Sequence, residues 1–144
     1  MIDNMHKRKL SDKDKQDLIN TISNIFRTKK DIVFAYIFGS FISKDEFKDI
    51  DIGVYIDNIE TATILNYEMK LELESEDILG IPVDIRIINN APISFVYNIL
   101  KDKIVMIDNN IDLRSDFEGL VYKKYFDFQY FRKEYLREIV NASV

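Results

Sequence analysis

The stretch YIFGSFISKDEFKDIDIGVYI, residues 36–56, joins two apolar runs through a Gly-Ser pair and a charged loop that ends in two aspartates one residue apart. The first run begins a little earlier. IVFAYIF, residues 32–38, is apolar throughout, β-branched and aromatic, which predicts a strand buried on both faces and stopped by Gly39. The second run, DIDIGVYI from Asp49 to Ile56, alternates: Ile50, Ile52 and Val54 fall on one side, Asp49, Asp51 and Gly53 on the other. It predicts a second strand with a polar face at its start.

Working outward, Ser11 followed by Asp14 suits the start of a helix in which Leu18, Ile19, Ile22, Ile25 and Phe26 recur at helical spacing, ending near Thr28. The stretch from about Thr61 to Leu79 is rich in Leu, Glu, Lys and Met and reads as a helix, with Gly80 and Pro82 as its stop. IPVDIRII, residues 81–88, reads as a third strand. Pro92 suits the first turn of a helix reaching about Lys101, and KIVMI at 103–107 reads as a short fourth strand. Beyond Asp112 the pattern is helical, with a break expected near Asp127. The order α-β-β-α-β-α-β-α predicts an α/β (α+β) fold, a mixed sheet of about four strands with helices packed on it. A single domain over 1–144 is expected, its core at about 10–108 and a helical tail at about 112–144.

The 144 residues, 47% hydrophobic and 31% charged, suit one domain that buries about two-thirds of its unfolded surface. There is no cysteine, which excludes disulfides and thiolate metal sites and leaves the cytoplasm as the expected compartment. The polar amino-terminal segment lacks the apolar core of a signal peptide, and no apolar run is long enough to span a bilayer. Twenty Lys and Arg against 25 Asp and Glu give a net charge of −5, the wrong sign for long-range attraction to a nucleic-acid backbone, so no direct nucleic-acid contact is expected.

Asp49 and Asp51 point to one face of a strand, about 7 Å apart by the rise per residue, and repel each other unless they share a hard divalent cation. Asp84 interrupts the third strand between Val83 and Ile85 in the same way and would complete a three-carboxylate metal site; taken alone, its alternative is an edge-strand carboxylate paired with Arg86. Such a trio suits phosphoryl or nucleotidyl transfer, in which cations clamp the attacking and leaving oxygens and a carboxylate takes a proton from the attacking hydroxyl. Gly39 lets backbone approach a phosphate closely, and the Ser40 hydroxyl can donate to its oxygens.

FGSFISKDEFKDIDIGVYI together with IPVDIRIINNAP resembles the core of the DNA polymerase β-like nucleotidyltransferase superfamily, whose motif is Gly-Ser, a loop, Asp-x-Asp and a later Asp. In size the chain is similar to the minimal nucleotidyltransferases (MNT), the antitoxins of HEPN/MNT toxin-antitoxin pairs. NNAPISFVYNILKDKIVMID resembles the segment after the third aspartate, and RSDFEGLVYKKYFDFQYFRKEYLREIV their helical tail. The resemblance implies that Asp49 and Asp51 are metal ligands, that Asp84 is a ligand or the base acting on the acceptor, and that Gly39 and Ser40 contact the triphosphate. It implies ATP as substrate, Mg²⁺ as cofactor, a HEPN ribonuclease toxin as partner and AMP transfer to a toxin tyrosine. The loop FISKDEFK is shorter than in many relatives and lacks their Arg-Gly, so Lys44 or Lys48 is expected to supply the positive charge at the nucleotide. The alternatives are an antitoxin that acts by binding alone and a nucleotidyltransferase for an antibiotic or another small molecule. Seven aromatic residues among basic ones in the tail, Tyr122 to Tyr135, exceed what one helix face can hide, so some are expected to meet a partner and the tail to help dock the toxin or form a homo-oligomer.

Overall fold

The computed structural model describes residues 6–58, 60 and 63–142. The chain runs β1 (Arg8–Lys9), α1 (Asp12–Arg27), β2 (Ile32–Phe38), α2 (Ser40–Ser43), β3 (Glu46–Phe47), β4 (Ile50–Ile56), α3 (Ile64–Leu79), β5 (Val83–Ile87), α4 (Ile93–Lys101), β6 (Lys103–Asp108) and α5 (Ile111–Ala142). Four strands form a mixed sheet in the order β5-β4-β2-β6, in which β2 is antiparallel to both β4 and β6 while β4 and β5 run parallel. This is the predicted α/β architecture.

The local signals account for most element ends. The Ser11 hydroxyl accepts the Asp14 amide at 3.1 Å and starts α1, which ends at Thr28. Gly80, at φ +68°, closes α3 with its amide on the Glu76 carbonyl at 2.8 Å, the left-handed stop glycine tolerates best. Thr61, the expected start of α3, lies outside the described residues, and Thr63 occupies the N-cap.

Alternation along the strands divides the core in two. Ile50, Ile52, Val54 and Ile56 of β4 join Ile37, Val83, Ile85 and Ile107 against α1 and α3. Phe34 and Tyr36 face the other way, where Val96, Ile99 and Leu100 of α4 and Val121 of α5 cover them. Each such side chain removed from water contributes roughly 1.5–3 kcal/mol. The outer edge of β5 is sealed by α3: the Glu76 carboxylate accepts the Val83 amide at 2.9 Å and the Glu68 carboxylate accepts the Ile87 amide at 2.8 Å.

Two features depart from the sequence reading. The Gly-Ser turn is a full turn of helix, α2, and the charged loop after it carries β3, which pairs with β1 of the polar amino-terminal arm. The break expected near Asp127 is absent. No proline or glycine occurs after Gly119 in α5, and Lys123 bridges Asp127 one turn away at 3.2 Å, so the helix runs through. The tail aromatics exceed what one helix face hides, as expected: Tyr122 and Tyr125 pack on Tyr97, the latter stacked at 3.6 Å between centroids, whereas Phe128, Tyr130, Phe131 and Tyr135 are exposed. Among the described residues no helix is long and apolar enough to cross a membrane.

Candidate active site

The site is built at one end of the sheet by cross-strand register. Antiparallel pairing sets Phe38 beside Asp51, and parallel pairing sets Asp84 beside Asp51 on the other side. Residues 33 positions apart in sequence thus become neighbours. Because side chains alternate, Asp51 and Asp84 share the face that α4 covers. They lie in a cleft of about 560 Å³, with Phe38, Phe95 and Pro92 as an apolar wall and Glu68 and Arg86 as polar lining. A smaller cavity of about 230 Å³ adjoins Phe38 and Phe95 and reaches Gly39 and Ser43.

Gly39 stands at φ +81°, and a Cβ built there would overlap the Asp51 carboxylate. Only glycine lets the chain turn into α2 directly over that aspartate. The Gly39 carbonyl accepts the amides of Ile42 and Ser43, both at 3.1 Å, which winds Ser40 to Ser43 into the helical turn. That turn is held from below by a residue absent from the sequence reading. Lys15 of α1 donates to the carbonyls of Phe41 and Lys44, both at 2.9 Å, and its ammonium lies 5.4 and 5.6 Å from the ring centroids of Phe41 and Phe47. Arg8 of β1 donates to the Lys48 carbonyl at 3.2 Å, so the amino-terminal segment and α1 together position the connection between Ser40 and Asp49.

The carboxylates are unevenly balanced. Burial first, then the charges of Asp49 and Asp84, push the Asp51 carboxyl from 3.8 up to about 7, with Arg86 opposing. Glu72 is also raised, by burial and then by Asp84, Glu76 and Glu68. Arg86 contacts Asp84 through Nε at 3.2 Å. Asp49 precedes the first residue of β4. Among the described residues no three carboxylates or histidines converge closely enough to hold a metal ion, so the three-aspartate site expected from the strand pattern is not preassembled. Asp84 is engaged with Arg86 and Asp49 lies outside the ladder, which leaves Asp51 at the centre. The donor chemistry nonetheless fits a hard divalent cation: all three candidate ligands are carboxylates, and the crowding of like charge at Asp51 is what such an ion relieves.

Of the residues singled out in the sequence, Gly39, Asp51 and Asp84 are brought together, Ser40 opens α2 next to them, and Asp49 is close enough to act on Asp51 electrostatically. Lys44 is exposed at the end of α2; neither it nor Lys48 is among the residues lining the cleft. Arg86 pairs with Asp84 as the sequence allowed, and the structure adds that it lines the cleft. Glu68, Phe95 and Lys15 were missed. Glu68 and Lys15 act across elements, and no local pattern marks them.

The family model described as Polymerase beta, Nucleotidyltransferase matches residues 20–112, the span from within α1 to the start of α5 that contains all three aspartates. Solved structures share the fold. A chain of the tri-AMPylated Shewanella oneidensis HEPN toxin in complex with MNT antitoxin matches with a TM-score of 0.60 at 19% identity, over 90% of this chain and 99% of that one. A mutant of the toxin-antitoxin MntA-HpeT matches with a TM-score of 0.68 at 16% identity, over 85% and 98%. A toxin-antitoxin with AMP-PNP matches with a TM-score of 0.67 at 17% identity, over 85% and 98%. No curated protein matches the sequence significantly. A family match over well more than half of the chain, centred on the cleft, makes this protein a member of the polymerase beta nucleotidyltransferase family.

Proposed function

We propose that the chain is the antitoxin of a HEPN/MNT pair and transfers AMP from ATP to a tyrosine hydroxyl of a HEPN ribonuclease toxin. The observation that carries this reading is the pairing of Asp51 with Asp84 beneath Gly39, in a cleft with one apolar wall and one acidic floor. The apolar wall of Phe38, Phe95 and Pro92 suits an aromatic base or an acceptor ring, and the acidic floor suits the reacting phosphate. Family membership supports nucleotidyl transfer, and the fold likeness to chains of toxin-antitoxin complexes supports the partner. The exposed Phe128, Tyr130, Phe131 and Tyr135 of α5 offer that partner an anchoring surface.

In the reaction the tyrosine oxygen attacks the α-phosphorus of ATP, the bond from that phosphorus to the bridging oxygen of the β-phosphate breaks, and pyrophosphate leaves. Asp84 takes the phenol proton or, in the other role open to it, serves as a ligand beside Asp49 and Asp51. A bound Mg²⁺, held by these aspartates, would neutralise the charge shared between nucleotide and site. Gly39 and Ser40 orient the triphosphate over Asp51. Lys15 keeps their turn in place.

The test is the intact mass of the candidate toxin, a helical protein with an Arg-(four residues)-His motif encoded beside this one, after incubation with this protein, ATP and Mg²⁺. One or more AMP additions are expected, absent with an Asp49→Ala, Asp51→Ala double variant. A stable complex without added mass would identify an antitoxin that works by binding alone. Asp84→Asn, assayed for transfer by mass and for Mg-ATP binding by titration, separates the two roles: as base it loses transfer but retains nucleotide binding, as ligand it loses both.

A further inference from the structure

Arg86 is the basic side chain among the residues that line the cleft, which it shares with Asp51, Asp84 and Glu68. It follows Asp84 by two positions on β5, so the two side chains leave the same face of the strand, and its Nε meets Asp84 Oδ1 at 3.2 Å. That contact is a poor reason for an arginine to be there. The pair is 59% and 41% exposed, within a single strand, and exposed pairs contribute little to stability. It is, however, a cheap contact to exchange.

A nucleotide entering this cleft brings several negative charges to a floor of carboxylates. It needs a cationic donor that reaches the phosphate oxygens, and Lys44 stands exposed away from the lining. The guanidinium offers five N–H donors in a planar fork that matches a phosphate, and it is less strongly hydrated than an ammonium. We propose that Arg86 is a nucleotide-binding residue, which leaves Asp84 for the phosphate oxygens when the nucleotide enters. Its contact with Asp84 in the empty cleft then keeps the guanidinium at hand. The proposal rests on the reading of the cleft as a nucleotide site.

The experiment is an NMR chemical-shift titration of the full isotope-labelled chain with Mg-ATP and, separately, with adenosine, for the unmodified protein, Arg86→Gln and Arg86→Lys. Arg86→Gln is expected to raise the Kd for Mg-ATP about tenfold or more and leave that for adenosine unchanged, with Arg86→Lys losing less. An unchanged Kd for Mg-ATP in Arg86→Gln overturns the proposal and leaves Arg86 as the partner of Asp84. Equal weakening of ATP and adenosine also overturns it, since the change then acts on the cleft as a whole. An unmodified protein that binds no Mg-ATP overturns the nucleotide-site reading itself, and the proposal falls with it.

Discussion

Two charged clusters occupy the same face of the same sheet, and they are built on opposite rules. In one, Arg114 at the start of α5 contacts Asp108 at 2.9 Å through both Nε and Nη2 and Glu118 at 2.9 Å through Nη1, while the Tyr36 hydroxyl donates to Glu118 at 2.7 Å. Every strong group has an opposite partner. Burial, then the hydrogen bond to Glu118, holds the Tyr36 phenol far above its ordinary range, so it stays a neutral donor. In the other cluster Asp51 and Asp84 share one guanidinium, held by Asp84 through a single contact at 3.2 Å, while the charge of Asp49 adds to the repulsion at Asp51. The first arrangement is a fastener between the sheet and α5. The second carries surplus negative charge against a cavity, the condition for taking a cation and an anionic substrate together.

That contrast is broken most severely at the aspartates. The double variant Asp49→Asn, Asp51→Asn is expected to reduce AMP transfer about a thousandfold, measured by mass, since it removes the carboxylates proposed to hold the cation that neutralises charge on the phosphates. Its stability is expected to move the other way. A carboxyl raised from 3.8 to about 7 in the folded state binds more protons folded than unfolded between those values, so the parent loses stability as pH rises through that window. In EDTA the variant should therefore melt higher than the parent at pH 7, with the difference vanishing below about pH 4.

The fastener should answer in the opposite sense. Arg114→Ala leaves Asp108 and Glu118, both largely shielded from water, without their cation. A loss of about 3 kcal/mol is expected, or roughly 9 °C in Tm by thermal unfolding. Gly39→Ala comes next, placing a methyl group on the Asp51 carboxylate at a positive φ. It should cost about 1–2 kcal/mol in chemical denaturation and lower transfer well beyond that loss of stability, because the displaced group is Asp51 itself. The smallest effect belongs to Tyr36→Phe, which removes one hydrogen bond while Arg114 still satisfies Glu118. About 1 kcal/mol of stability is expected to go, with transfer rates unchanged.

What could be read locally was read well. The alternation in DIDIGVYI placed Asp51 and Gly53 opposite Ile50, Ile52 and Val54, and the two sets do face different layers. Ser11, Gly80 and Gly39 each end or begin an element through a hydrogen bond or a dihedral angle set within a few residues. The expected break in α5 failed because an acidic residue among aromatics resembles a loop, whereas a helix is interrupted by proline, by glycine or by a lost backbone hydrogen bond, and none occurs at Asp127.

The sequence by itself therefore determined the four strands of the main sheet, the helices α1, α3 and α4 and the face on which Asp51 and Asp84 stand, because side-chain periodicity follows from backbone geometry that every residue carries with it. Only the tertiary structure decided that Asp84 lies beside Asp51, that Lys15 holds the turn at Ser40, that Glu68 and Glu76 close the edge of β5, and that Arg86 enters the cleft. Those contacts join segments across loops of a few to dozens of residues. Their closure is favoured only when the whole chain buries its apolar faces at once, and no window of the sequence contains that balance.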